Sequence, residues 1–317
     1  MKHIWLGALA ALGIFSVLFH AVPSDALVML KKDTTDIGKI VIVSPQFGDS
    51  ATANGTALID ALAAIAATQA EPYILKLGPG IYDVQDISVQ MKEYVDIEGS
   101  GEKTTKIRGT ISSETSSPTS GTVQGANNAE LRFLTVENTG TGTNTVAILN
   151  SSSSPSIMHV TATAMAGTNN YGIYNNDSSP KMTNVSAKGE GGAETNAGVY
   201  NSSGYPVLTN VIATGSGGTE PYGVYNNLFN LTMTNVTASG SGLDSGYGIY
   251  NNAGAVIISH SVIIGRTPIF NGSAAVTRIV YTQLDGPLAV ENSSGGTLTC
   301  VGAYDEGYIA LGVNCLP

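Results

Sequence analysis

The chain has 317 residues, of which 42% are hydrophobic and 12% charged, with 38 glycines, so its surface is covered mainly by Ser, Thr, Asn and Gly. The formal net charge is −10, which disfavours nucleic acid and anionic membranes as partners. The length would allow two domains, but the internal repeat described below favours one domain growing along an axis.

The first 26 residues, MKHIWLGALAALGIFSVLFHAVPSDA, place Lys2 before an apolar run from Ile4 to Phe19 and then offer Ser24-Asp25-Ala26 as a small-x-small cleavage site. That is the pattern of a secretory signal peptide. The run is shorter than the roughly 20 residues a membrane span needs, so no stable span is expected after cleavage. No Cys follows it, which argues against a lipid anchor. Cleavage removes one base, Lys2, and one acid, Asp25, and leaves the net charge unchanged. The expected destination is outside the cell or on its surface, with the periplasm as the alternative. Residues 27–38 read as an N-terminal arm.

ANGTALIDALAAIAA (53–67) carries Leu58, Ile59, Leu62 and Ile65 at 3–4 spacing and predicts an amphipathic helix near 55–67. It would lie over the open end of the domain that follows, because an exposed sheet edge pairs with other chains.

From residue 171 the chain repeats one phrase four times: YGIYNN (171–176), AGVYNS (197–202), YGVYNN (222–227) and YGIYNN (247–252). Tyr174, Tyr200, Tyr225 and Tyr250 are separated by 26, 25 and 25 residues, a period that marks a repeat architecture. Within one unit no stretch reaches helical length, and two or three short strands cannot bury their own apolar residues unless units stack. Aligned units give three aliphatic columns: Ile148, Ile173, Val199, Val224, Ile249 and Ile269; Ile157, Met182, Leu208, Met233 and Ile258; Val160, Val185, Val211 and Val236. Each reads as a core stripe of a parallel sheet. Between the second and third columns sit His159, Asn184, Asn210, Asn235 and His260. After the aromatic positions sit Asn150, Asn175, Asn201, Asn226, Asn251 and Asn271. Asn tolerates the left-handed backbone of a sharp turn, and stacked copies can pass hydrogen bonds along a column. The pattern is a solenoid over 39–296, all-β apart from the capping helix. The oligomeric state is left open.

Cys300 and Cys315 are the only cysteines, both near the C-terminus of an exported chain. They are expected to pair in a cap over 297–317. Two thiols without a nearby His are too few for a zinc site.

PYILKLGPGIYDVQDISVQMKEYVDIEGSGEKTTKIRG (72–109) resembles the opening turns of right-handed parallel β-helix proteins of the pectin lyase-like superfamily. NNAELRFLTVENTG (127–140) and the YGIYNN units resemble the coils of uncharacterised secreted bacterial members. The resemblance implies a right-handed parallel β-helix of coils about 25 residues long, and a fold rather than an activity. With coils about 4.8 Å apart, Tyr94 to Glu291 would form about eight coils and a rod on the order of 40 Å.

The equipment of that superfamily's pectin enzymes is not found: the paired aspartates with an Arg and glutamines of methylesterases, and the Asn-Thr-Asp, Asp-Asp, Gly-His-Gly and Arg-Ile-Lys strings of polygalacturonases. No Lys or Arg occurs from Gly189 to Gly265, where Glu190, Glu194, Glu220 and Asp244 would repel a polyuronate. His159 and His260 share a column but lie four coils, about 19 Å, apart, so they cannot share a metal or a proton. Glu194, Glu220 and Asp244 fall on successive coils. Stacked, they would bind a hard cation such as Ca²⁺, share a proton or simply point into water, and they are the first catalytic candidates if the protein is an enzyme. No other cofactor is expected. Tyr174, Tyr200, Tyr225 and Tyr250, extended by Leu149 and Phe270, have the parity opposite to the core column. They would form an outward aromatic strip for sugar rings or another protein, unless the rings merely stack on one another. The leading expectation is a secreted, non-catalytic β-helix with an extracellular structural, adhesion or weak glycan-binding role, its partner a polysaccharide or cell-surface glycan. The alternatives are a polysaccharide-active hydrolase or lyase and a phage-spike-like receptor-binding rod.

Overall fold

A computed structural model describes residues 26–29, 39–287 and 290–316. The expected signal peptide lies outside these residues except for Ala26, as does most of the 27–38 arm. Among the described residues no helix is long and apolar enough to cross a membrane.

In one coil the chain runs along Lys181–Glu190, crosses a glycine-rich loop, runs along Thr195–Asn201 and turns at 202–206 into Val207–Ser216 of the next coil. Lys181–Glu190 is parallel to both Ser156–Met165 and Val207–Ser216, with Met182 beside Ile157 and Leu208, and Val185 beside Val160 and Val211. Thr195–Asn201 is likewise parallel to its neighbours, with Val199 beside Ile173 and Val224. Each repeat therefore lies directly over the last, and the three aliphatic columns are buried. A slip of one residue would turn every column outward, which is why the register holds. The result is a parallel β-solenoid of about nine turns, the fold that the resemblance implies.

Both Asn columns exist, but they do different work. Phe133, His159, Asn184, Asn210, Asn235, His260 and Tyr281 all have φ between +46° and +55° and form the corner between two faces of the solenoid. Asn150, Asn175, Asn201, Asn226, Asn251 and Asn271 are absent from the left-handed positions and fully buried. Their turn role is corrected: their amides run inside the coil as a ladder, with Asn226 Nδ2 donating to Asn251 Oδ1 at 2.9 Å and Asn201 Nδ2 to Asn226 Oδ1 at 2.7 Å.

The helix, α1 (Ala51–Ala64), begins and ends earlier than expected. Ser50 caps its start, its Oγ accepting from Ala53 N at 3.0 Å. Lys92 fixes its end by donating to the carbonyls of Ala63 and Ile65, both at 2.8 Å. Leu58, Ala61 and Leu62 are buried at the start of the stack.

At the other end Cys300 and Cys315 form the expected disulfide. Cys300 N donates to Val313 O at 2.9 Å and Leu311 N to Ala303 O at 2.8 Å, so the C-terminal segment lies against the strand Thr297–Val301 and the residue just before the final short strand, Tyr304–Asp305. Replacing both cysteines by Ser is expected to cost about 3 kcal/mol in the chain-entropy account. Amide exchange should speed up within 297–316 and stay slow in the coils between 156 and 259. A uniform increase, or none, would mean that the disulfide does not hold the cap.

Candidate functional site

The four expected tyrosines do form one column, but not an open platform. Tyr174 stacks on Tyr200 (centroids 4.9 Å, planes 5° apart), Tyr200 on Tyr225 (4.3 Å, 7°), Tyr225 on Tyr250 (5.2 Å, 8°) and Tyr250 on Phe270 (4.2 Å, 11°). The expectation of exposed ring faces is thereby corrected, since each interior face is covered by the next ring and only edges remain for a partner. Tyr171, Tyr222 and Tyr247 pack edge-on against the same rings. Together with Val146, Leu149 and Ala197 they make a second apolar cluster outside the main core. Burial pushes the hydroxyls of Tyr174, Tyr200 and Tyr225 above their ordinary range, so none is poised to act as a base near neutrality. The glycine of the YG(I/V)Y phrase is required here. A Cβ on Gly172, Gly198 or Gly223 would lie 2.4–2.5 Å from a backbone atom of the neighbouring face.

Glu194, Glu220 and Asp244 do not stack. Thr195 lies beside Glu220, which puts Glu220 one position out of line with Glu194: Glu194 stands in the loop before Thr195–Asn201, whereas Glu220 opens the strand Glu220–Asn226. All three are exposed, and Glu220 Oε2 accepts from Thr195 Oγ1 at 3.2 Å. Among the described residues no group of three or more His, Cys, Asp or Glu could hold a metal ion, so the stacked Ca²⁺ arrangement is not formed. His159 and His260 sit in the turn column. His159 stacks on Phe133 at 5.1 Å and shares a hydrogen bond with Asn184 at 3.1 Å, while His260 lies 5.6 Å from the Tyr281 ring.

The residues that do converge were not singled out from the sequence. On the outer side of the early coils Lys76, Glu98 and Arg132 lie in register on adjacent strands, and Glu130 N donates to Asp96 Oδ1 at 2.9 Å. Arg132 bonds Glu98 Oε2 through Nη2 at 2.8 Å and Nε at 3.0 Å, reaches Asp96 Oδ2 at 3.3 Å through Nη1 and also pairs with Glu130. Lys76 Nζ holds the other oxygen of Glu98 at 2.9 Å. Burial raises Asp96 above the carboxylate range, outweighing the backbone N–H of Glu130 and the Arg132 charge. Burial acts upward on Glu98 too, but the hydrogen bonds from Lys76 and Arg132 together hold it below that range.

Beside this network is a groove of about 360 Å³ lined by Lys76, Leu77, Glu98, Gly99, Ser100, Gly101 and Phe133. Its wall is the loop GSGEKT. Gly99 N donates to Arg132 O at 2.9 Å and Gly101 N to Phe133 O at 2.8 Å. A Cβ at Gly99 would fall 2.3 Å from Phe133 O, so only glycine lets the loop lie this close. Glu102 then anchors it across two coils, its carbonyl accepting from Thr135 Oγ1 and its carboxylate from Thr161 Oγ1, both at 2.7 Å. The groove thus offers the Phe133 ring, which also stacks on His159, the Ser100 hydroxyl oxygen as an acceptor, its proton going to Leu77 O at 2.9 Å, and a compensated charge pair.

No family model matches the chain, and no curated protein matches it. Solved structures similar to it include a pectin methylesterase from Erwinia chrysanthemi, 11% identical over 90% of this chain and 93% of that one, with a TM-score of 0.46. The A-module of a mannuronan C-5 epimerase from Azotobacter vinelandii is 16% identical over 80% of this chain and 76% of that one, at 0.42. The Dettilon tailspike protein is 10% identical over 83% of this chain and 61% of that one, at 0.49. At such identities the likeness is one of fold alone.

Proposed function

We propose that this chain is an exported, non-catalytic β-solenoid that binds neutral glycan in the groove at Lys76, Glu98, Ser100 and Phe133, with the tyrosine column serving as scaffold. The observation that supports this most is the convergence of an aromatic ring, a hydroxyl and a self-neutralised ion pair on one concavity of ligand size, whereas the interior tyrosines are covered on both faces. The cations that an anionic polymer would need are taken by Glu98, Asp96 and Glu130, so the groove suits hydroxyl-rich, uncharged rings.

The test is titration of the exported protein with neutral oligosaccharides, with product analysis of every mixture. Phe133→Asn removes the ring and keeps a residue that accepts the left-handed turn. It should weaken binding about tenfold, roughly 1.4 kcal/mol, while the fold persists with a melting temperature lowered only by the lost stacking on His159. Binding that survives the change unaltered would remove the groove from the proposal.

A second reading, catalysis on a glycan, draws on Asp96 and Glu98. They are alternate residues of one strand, with carboxyl affinities for protons pushed in opposite directions, a pattern that separates acid from base in hydrolases. Products that disappear in Asp96→Asn while binding persists would favour this reading, and it replaces Glu194, Glu220 and Asp244 as the place for chemistry.

A further inference from the structure

A second surface lies several coils further along. Lys181, Val207, Thr232, Ile257 and Arg278 occupy the same outward position on five successive coils, and the strip spans about 19 Å. Val207 and Ile257 are exposed, and beside them the exposed rings of Tyr205 and Phe229 pack at 5.4 Å. Lys181 and Arg278 at the two ends are exposed and have no acidic partner among the described residues. Single exposed apolar residues are ordinary, but Val207, Ile257, Tyr205 and Phe229 grouped around Thr232 with a free cation at each end, on a chain of net charge −10, mark an interaction surface.

The C-terminal cap has the complementary character. Tyr308 is 78% exposed and Val313 64%, with Ile309 and Leu316 also open. Asp305 and Glu306 stand just before Tyr308. From Ile279 to the last residue there are four carboxylates, Asp285, Glu291, Asp305 and Glu306, and no Lys or Arg.

We propose that the strip receives the C-terminal cap of a second copy of this chain. Of the three ways the two surfaces can meet, only this one pairs opposite charges. An antiparallel two-fold pairing of strip on strip would set Lys181 of one copy against Arg278 of the other, and cap on cap would set acid against acid. Because cap and strip are different surfaces, each bound copy still offers one of each, so the contact is heterologous and builds a ring or an open chain rather than a two-fold dimer. An anionic bilayer is the weaker occupant, since two cations oppose the repulsion of the whole molecule.

Sedimentation velocity of the exported protein over a wide concentration range is expected to show species that grow with concentration and shrink with salt. Lys181→Glu with Arg278→Glu should shift association to about tenfold higher concentration, and Glu306→Lys alone should act in the same direction. All three changes together set one cation of the cap against the two new carboxylates of the strip, with Asp305 unchanged beside it, and should recover part of the association lost in the double change. These side chains are exposed, and melting temperature checks that each variant is folded. A wild-type protein that stays monomeric, association indifferent to the double change, or a triple variant no better than the double would each overturn the proposal. Binding to anionic vesicles without self-association would assign the strip to lipid and overturn it as well.

Discussion

Tyr200→Ala is expected to destabilise the solenoid by about 3 kcal/mol, the low end for truncating a packed aromatic residue because this ring is only partly buried. Tyr174 covers one face at 4.9 Å, Tyr225 the other at 4.3 Å, and Tyr171 meets the edge at 5.2 Å. The backbone ladders fix the spacing of the coils, so the neighbours cannot close the gap left by the missing ring. Each lost aromatic pair adds about 0.5–1.5 kcal/mol beyond the area term. Tyr200→Phe keeps the stack and should retain most of the stability. Denaturant melts of the two variants, with glycan titration on the same samples, separate scaffold from binding surface. A loss under about 0.5 kcal/mol in Tyr200→Ala, accompanied by weaker glycan binding, would return the strip to a binding role.

The orientation of those rings was the step that parity could not supply. Period-2 alternation assigns Tyr174, Tyr200, Tyr225 and Tyr250 to the outer side of their strand, and that assignment holds. What it leaves open is the ring plane, which follows from the coil spacing: side chains repeated about every 4.8 Å along an axis are at stacking distance, so identical flat rings turn face to face. The aliphatic columns were legible because every coil repeats the same residue type at the same step. The carboxylates misled for the opposite reason. Glu194 and Glu220 are 26 residues apart, but the local register pairs Thr195 with Glu220, and that single residue leaves Glu194 in the loop while Glu220 opens its strand. The groove was hidden by a break in the period. Glu98 and Arg132 are partners in register, yet 34 positions apart, mainly because the loop 99–104 puts eight positions between Glu98 and Lys106 where the next coil has three between Arg132 and Thr135. Charge alternation in Asp96-Ile97-Glu98 and Glu130-Leu131-Arg132 was the available signal, and it becomes readable only after the long coil is aligned by its apolar residues, Ile97 with Leu131.

Asn226→Ala should have a larger effect than any change in the exposed ladder, although Asn210 and Asn226 look equivalent in the sequence. Asn226 is fully buried. Its Nδ2 donates to Phe229 O and Asn251 Oδ1, both at 2.9 Å, and to Ala253 O at 3.1 Å, and its Oδ1 accepts from Asn201 Nδ2 at 2.7 Å. Truncation strands several buried groups that water reaches poorly. At about 1–3 kcal/mol for each unsatisfied group, and less than additively because the partners share one network, the loss should be about 3–5 kcal/mol. Asn210 bonds Asn184 at 3.0 Å and Asn235 at 2.7 Å, but it is exposed and solvent can replace both partners. The remaining cost of Asn210→Ala is the left-handed backbone, about 1–2 kcal/mol, and Asn210→Gly should remove most of it because glycine takes that conformation freely. Asn175 supplies a test internal to the buried ladder. Its Nδ2 has no partner, and its Oδ1 accepts only from Asn150 at 2.9 Å, so Asn175→Ala should cost clearly less than Asn226→Ala at equal burial. Denaturant midpoints that rank Asn226→Ala above Asn175→Ala, with Asn210→Gly near wild type, would tie stability to hydrogen bonds satisfied inside the coil. Equal losses at Asn175 and Asn226 would tie it instead to the volume of the side chain.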